Sequence, residues 1–351
     1  MGQIIRIGID TSKSVFQLHG VDEKEEPVLR RQLRRHQVLA FFAKLEPTVL
    51  GMESCGGSQY WARELQAVGH RVVLIPPQYA KPYVCRGKND AADAEAICEA
   101  MSRPKVKKRF VGVKTAEQQA ATMLLGVREG LVRRRTQVSN TIRGHGAEFG
   151  VVVRKGLAHV EELLERVAND PSIPELAKEM FVVLAGQYIH LEAQLKEIEA
   201  KLTALHRSSE QSRRLAEIPS IGPVTAACLC AKVVDPKMFG CGRDFAAWLG
   251  LTPTDHSTAG KTRLGVITRA GDEMLRSLLI NGAMTVIQHI KPSKTKAPPW
   301  LEQLLARKPK KLAAVALANK TARIAWKLMV SGERYNPRKA VAFEPSLAEA
   351  A

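Results

Sequence analysis

Ile4-Ile5-Arg6-Ile7-Gly8-Ile9-Asp10-Thr11-Ser12-Lys13 is a short apolar run that ends in a carboxylate. The run reads as a buried strand over residues 4–9, and Asp10 follows it directly, where a side chain can project from the edge of a sheet. Working outward, Val15-Phe16-Gln17-Leu18-His19 alternates as a second strand, and Pro27 to Arg31 can make a third. Gln37 to Leu45 has helical spacing. Thr48-Val49-Leu50-Gly51-Met52 is a further buried strand that ends at Glu53, Gln59 to Val68 is a helix closed by Gly69, and Arg71 to Ile75 is a strand stopped by Pro76-Pro77. The order β-β-β-α-β-α-β-α predicts a mixed sheet flanked by helices, an α/β domain whose order resembles the ribonuclease-H-like (RuvC-like) arrangement.

Beyond it, Asp90 to Met101 predicts a helix, and a basic linker, Lys105 to Lys114, leads into a long helix from about Thr115 to Glu148. Phe181, Leu184, Tyr188, Leu191, Leu195, Ile198, Leu202 and Leu205 step by three or four, an a/d seam over three heptads. Such a seam needs a partner: either the Thr115–Glu148 helix of the same chain or a second subunit in a coiled coil. Leu215 to Val233 opens a mainly α C-terminal region. There Ile218-Pro219-Ser220-Ile221-Gly222-Pro223-Val224-Thr225-Ala226 is similar to a helix-hairpin-helix, with Ser220 where that motif has glycine. Phe245 to Leu251 reads as a short helix, Thr252 to Thr268 as a polar loop, and Asp272 to His289 and Leu312 to Met329 as helices. The expected division is therefore 1–102, 103–210, 211–335 and a disordered tail over 336–351.

The chain of 351 residues carries 53 Lys+Arg against 35 Asp+Glu, a formal charge of +18. That balance points to a polyanionic partner, nucleic acid first, because bound Lys and Arg release its condensed counterions. Residues 103–155 hold 13 Lys/Arg against Glu117, Glu129 and Glu148, so the footprint is concentrated there, with Arg133, Arg134 and Arg135 at its centre. No amphipathic lysine-rich helix or lipidation signal suggests a membrane. Six cysteines without C-x-x-C or zinc spacing exclude a disulfide framework and a structural zinc, and fit a reduced cytoplasm.

Two acids at two strand ends, Asp10 and Glu53, are joined by a pair at one helix start. Asp90 and Asp93 are three apart and so share a face. Either could simply stabilise the first turn of its helix. Together the four offer hard oxygen ligands, which suit Mg²⁺ (or Mn²⁺) and a phosphate substrate. The residues around them, Ile-Gly-Ile-Asp-Thr-Ser-Lys at 7–13, Gly-Met-Glu-Ser at 51–54 and Lys-Asn-Asp-Ala-Ala-Asp-Ala at 88–94, resemble the D-E-D-D set of insertion-sequence transposases with a RuvC-like domain. This is the IS-one-ten family, with its eleven-eleven branch and the Piv-type invertases. The second half adds Phe-Ala-Ala-Trp-Leu-Gly-Leu-Thr-Pro, His-Ser-Thr-Ala-Gly-Lys and Ile-Thr-Arg-Ala-Gly-Asp, so the resemblance spans nearly the whole chain.

The resemblance implies a recombinase whose metal-binding acids work with a serine nucleophile that joins covalently to DNA. Counting back from Thr268-Arg269-Ala270-Gly271 places that serine at Ser257; counting forward from Pro253 reaches Thr258 instead. Lys261, Arg263 and Arg269 would neutralise charge at the reacting phosphate. Ala259 stands where the family has glycine. The family also implies a bridge RNA held by the basic stretch, and a homodimer or homotetramer. Two other readings remain: a RuvC-like hydrolytic nuclease that uses water, and a non-catalytic nucleic-acid-binding protein.

Overall fold

Alternation along the first strand decides what lies above and below the sheet. A computed structural model describes residues 3–84, 89–107, 110–258, 260–290 and 298–337. In it, β1 (Arg6–Thr11) pairs antiparallel with β2 (Val15–Val21), which pairs antiparallel with β3 (Pro27–Arg34). After α1 (Val38–Phe42), β4 (Val49–Glu53) pairs parallel with β1. Then α2 (Ser58–Ala67) crosses to β5 (Arg71–Ile75), parallel to β4. The sheet order is β3-β2-β1-β4-β5. This mixed sheet with helices is consistent with the ribonuclease-H-like arrangement that the element order predicted.

Ile7 and Ile9 point to one face, where they are buried with Phe16, Leu18, Leu50, Met52, Trp61, Leu65 and Phe42. Residues of the opposite parity, Gly8 and Asp10 on β1 and Gly51 and Glu53 on β4, belong to the other face. After α3 (Pro77–Ala80), that second face is covered by α4 (Asp90–Ser102), followed by the single turn α5 (Pro104–Lys107). Ile97, Ala100 and Met101 of α4 pack with Val73 and Ile75 of β5.

Two glycines make a seat for α4. Gly8 is opposite Gly51 in the parallel register. A Cβ on Gly8 would lie 2.2 Å from the Ala94 carbonyl oxygen and 2.5 Å from the Cys98 nitrogen; one on Gly51 would lie 2.2 Å from Met101 Sδ. The helix backbone thus rests almost directly on the strand, closer than any side chain would permit. Arg6, one pleat below Gly8, donates from Nε to the Cys98 carbonyl at 3.0 Å and pairs with Glu25.

The chain divides into two compact units, Met1–Gln118 with Lys232–Gly240, and Gln119–Ala231 with Cys241–Ala351. In the second, α6 (Ala116–Glu148), α7 (Val160–Asn169) and α8 (Glu175–Ser208) come first. The a/d seam of α8 is buried against its own chain: Phe181 and Tyr188 pack with Ile142, and Leu191 and Leu195 with Leu131. Partners that rise along α6 and fall along α8 describe an antiparallel pair, cross-tied by Arg128–Glu199 at 2.8 Å and Arg135–Glu192 at 3.0 Å. Of the two partners left open by the sequence, the same-chain helix is therefore one that the seam uses.

Next come α9 (Glu210–Leu215), α10 (Pro223–Lys232) and α11 (Gly242–Trp248), the strands β6 (Pro253–Asp255) and β7 (Leu264–Ile267), and then α12 (Glu273–His289), α13 (Pro299–Arg307) and α14 (Lys310–Ser331). The alanines Ala313, Ala314, Ala318, Ala322 and Ala325 of α14 are fully buried. Ser220 adopts φ 80° in the turn before α10, the left-handed conformation the motif reserves for glycine, and its hydroxyl is 3.0 Å from that of Thr321.

One sequence expectation changes here, and two elements appear that the sequence reading does not assign. Thr252 to Thr268 is not an irregular loop but a two-stranded antiparallel hairpin, because Thr258 and Lys261 close a tight turn with Gly260 at φ 78°. Between α12 and α14 lies the helix α13, initiated by Pro299 at its first position. The segment between the long helices contains α7, whose buried Val160, Leu163 and Val167 join the core around Ile142. The tail expected to be disordered lies, beyond Pro337, outside the described residues. Among the described residues no helix is long and apolar enough to cross a membrane.

Candidate metal centre and serine hairpin

The glycine seat determines where the acids stand. Ala94 and Cys98 rest over Gly8, so the first turn of α4 lies one helical turn further toward the end of β1, beside Asp10. Among the described residues, Asp10, Asp90 and Asp93 each bring one carboxylate oxygen within 4.8 Å of the other two. Glu53 lies outside that tight group but within its field. Burial and then the charge of Asp93 push its carboxyl up, with Lys81 opposing. Asp10 feels the crowd most. Burial first, then Asp93, Asp90 and Glu53, push it from 3.8 to about 6.

A helix start could explain two of these acids without any ligand, but the cap is occupied by another residue. Asn89 is the N-cap, and its Oδ1 accepts from the N–H groups of Ala91 at 2.7 Å and Ala92 at 3.4 Å. Asp90 and Asp93 therefore retain only the favourable field of the helix N-terminus, and that field is set against the repulsion of Asp10 and Glu53. Asn89→Ala should cost about 1 kcal/mol of stability in urea titrations. An unchanged midpoint would mean that Asp90 takes over as cap and that its place beside Asp10 is not fixed.

Oxygen donors alone, crowded enough to hold a proton near pH 6, are the donor set that a hard divalent cation compensates. The residues present fit such an ion. Thr11 and Cys55 touch beside the cluster, Oγ1 to Sγ 3.4 Å.

Ser257 belongs to the second unit, in the hairpin between β6 and β7. Its N–H donates to Asp255 Oδ1 at 2.8 Å, and its Oγ accepts from the Arg263 N–H at 3.0 Å. Hydrogen bonds from the Ser257 side chain and backbone hold the Asp255 carboxyl below the usual range. Asp255 escaped the sequence reading; the Asp-x-Ser spacing of an Asx turn was the available signal. Thr258, the alternative nucleophile, exchanges backbone hydrogen bonds with Lys261, 3.3 and 3.0 Å, and is exposed. Ala259 lies outside the described residues. Lys261, Arg263 and Arg269 are exposed, the last at φ 54°.

The three consecutive arginines differ. Arg133 pairs with Glu129 on its own helix at 3.2 Å and remains 75% exposed, and Arg134 is exposed with no ion pair among the described residues. Arg135 instead faces α8 and Glu192. Helical periodicity turns one residue of any three inward, so a run of arginines does not present a uniform basic face.

Comparisons with known proteins place the chain in a family. A transposase model, of the DEDD kind found in IS110 elements, matches residues 7–146, and the Transposase IS116/IS110/IS902 family model matches residues 212–298. A Sinorhizobium fredii protein named "Putative transposase y4pF/y4sB" is 61% identical over 95% of this chain and 86% of its own length. A Pseudomonas aeruginosa protein named "Probable family 20 transposase" is 47% identical over 95% and 98%. The transposase for insertion sequence element IS1111A of Coxiella burnetii is 37% identical over 95% and 92%. With both family models matched in order and relatives aligned along nearly its whole length, the chain belongs to the IS110/IS116 family of insertion-sequence transposases, enzymes that cleave and recombine DNA.

Proposed function

We propose that this transposase breaks and rejoins DNA by transferring a strand to Ser257, with Asp10, Glu53, Asp90 and Asp93 as the ligands of divalent ions, Mg²⁺ first and Mn²⁺ as a substitute. The observation that carries this reading is the gathering of Asp10, Asp90 and Asp93 around one point from β1 and α4, with Glu53 in its field. Bound there, such ions supply Lewis-acid stabilisation of the charge on a phosphate and of the oxygens entering and leaving it.

This chain's own residues do the rest. Ser257 Oγ forms the new bond to phosphorus, and the bridging ester oxygen of the cleaved strand leaves, taking a proton from water to become a free hydroxyl end. The hydroxyl proton passes to the Asp255 carboxylate, which Ser257 already holds by hydrogen bonds and which stays ionised at neutral pH. Lys261, Arg263 and Arg269 offset the negative charge gathering on the phosphate. The reverse transfer, to a strand end from the partner DNA, releases the serine and conserves the phosphodiester energy.

The family resemblance implies a bridge RNA as the source of sequence choice, and the basic stretch 103–155, with Arg133 and Arg134 exposed, supports a polyanion held there through its backbone, as duplex RNA is. The reading includes a dimer or tetramer, in which donor and target strands are cut together. The test is to react the protein with a plasmid carrying its gene and flanking DNA, digest the denatured product and map the DNA-bearing peptide. We expect the adduct on Ser257. An adduct on Thr258 would move the nucleophile one residue, and free nicked ends without an adduct would favour hydrolysis by water.

A further inference from the structure

The hairpin that presents Ser257 also carries two side chains that the chemistry above does not use. Leu264 is 52% exposed and Val266 is 72% exposed. Both lie on β7, which among the described residues pairs with β6 in a sheet of two strands. A large aliphatic pair on a two-stranded ribbon has no core of its own to serve, and it is bordered by three cations. Arg263 precedes Leu264, Lys261 lies at the turn and Arg269 follows the strand, with no ion pair involving any of the three among the described residues.

The ribbon is held firmly at its base. Gly250 and Gly271 let the two flanking segments meet, a Cβ on either falling within 2.4 Å of Ala270 or 1.9 Å of the Trp248 carbonyl. The buried Arg276 guanidinium donates to the carbonyls of Leu249 at 3.1 Å and Ala270 at 2.8 Å. A rigid base supporting a cationic ribbon with aliphatic residues is built to press on something anionic outside and apolar inside. Duplex DNA has that character, with phosphates along its rim and stacked bases within.

We infer that Leu264 and Val266 are a wedge that enters the DNA at the reacting step and parts its base stack while Lys261, Arg263 and Arg269 grip the flanking phosphates. Leu and Val lack the flat faces of a stacking platform, but side chains of this kind open base steps in proteins that kink the duplex. Residues two apart on a regular strand are separated by about 6.6 Å, and the extra residue that the register shift puts into β7 only shortens that span, keeping it within two base-pair steps of about 3.4 Å each. Strand exchange cannot proceed while the reacting strand remains paired with its old complement, so the opening is work the reaction requires. The inference rests on the proposed strand transfer, and its test separates the two.

Permanganate oxidises unstacked thymines and reports opening without any cleavage. The probe is the plasmid carrying the gene and its flanking DNA, with full-length protein, in both the wild type and a Ser257→Ala background that cannot form the serine link. We expect reactive thymines at the transfer site in both. The double variant Leu264→Ala/Val266→Ala should lose at least about tenfold of that reactivity and of covalent attachment, while plasmid retention on filters changes less than about threefold because the cations remain. Attachment should return when the same step is supplied as an unpaired bubble, and Leu264→Met/Val266→Ile should behave as wild type.

Absence of reactive thymines with wild-type protein, reactivity unchanged in the double variant, or a defect that the bubble does not repair would each overturn the wedge. A change in oligomeric state in the double variant would overturn it too, showing that protein covers the pair. Opening that depends on Leu264 and Val266 in a protein with Ser257 intact that nonetheless forms no adduct would instead sink the serine mechanism and leave the wedge standing.

Discussion

Asp10→Asn should cut DNA cleavage by on the order of a thousand-fold and, in the same protein, make the metal-free form more stable above pH 7. The loss follows from geometry, since Asp10 is the member of the cluster contributed by β1 and the one on which all the other acids act. The gain follows from the same crowding. Its carboxyl is raised from 3.8 to about 6, by burial first and by Asp93, Asp90 and Glu53 after it, so between these values the folded protein binds a proton that the unfolded chain has released. That favours the folded state at low pH, and the advantage is lost as the pH rises through about 6.

At pH 7.5 the wild type without metal should therefore carry a penalty of about 1–2 kcal/mol, discounted from roughly 1.4 kcal/mol per unit because the carboxylate is only half removed from water. Urea titrations in chelator at pH 5 and pH 7.5 measure it. The wild type should lose stability between these values and regain it with Mg²⁺ or Mn²⁺, whereas Asp10→Asn should show a flatter profile and little response to metal. Neutral amides elsewhere do not mimic this pattern. A metal-free Asp10→Asn protein that is less stable than wild type at pH 7.5, or that still cleaves within tenfold of it, would mean that the acids are not a ligand set.

Much of this arrangement was legible before any coordinates. Alternation in 15–19 and the buried runs at 4–9, 48–52 and 71–75 placed four strands within two residues of their positions, because one apolar face on a sheet leaves a period that sequence records directly. The strand ends at Asp10 and Glu53 were legible for the same reason. What sequence could not display was depth. Asp90 and Asp93 had equal claims as helix-starting acids until Asn89 proved to hold the cap and Gly8 proved to lie under Ala94 and Cys98. The hairpin around Ser257 was hidden in a polar stretch, since β6 and β7 are short, exposed and interrupted by a register shift, and lack the buried alternation that marks a strand. Arg135 was read with its neighbours as a nucleic-acid contact; only the opposed helix could assign it to Glu192.

Gly8→Ala should do the largest structural damage of any single methyl group added to the first unit, and it should damage the metal centre before it unfolds the protein. The new Cβ would meet backbone atoms, the Ala94 oxygen at 2.2 Å and the Cys98 nitrogen at 2.5 Å, and backbone yields only if α4 moves as a body. Overpacking of this kind costs about 3 kcal/mol. Because α4 carries Asp90 and Asp93 while β1 carries Asp10, the same displacement separates ligands that now lie within 4.8 Å. Gly51→Ala is the matched control. It sits beside Gly8 in the register, on the same face, but its Cβ would meet the side chain of Met101, whose three rotatable bonds can carry Sδ aside for about 1–2 kcal/mol. Mn²⁺ titration of the folded proteins should show affinity reduced at least about tenfold in Gly8→Ala and within about threefold of wild type in Gly51→Ala, with urea midpoints in the same order. Equal losses at the two positions would show that the sheet tolerates the helix at more than one height. In that case the acids would owe their meeting to something other than the close seating of α4 on β1.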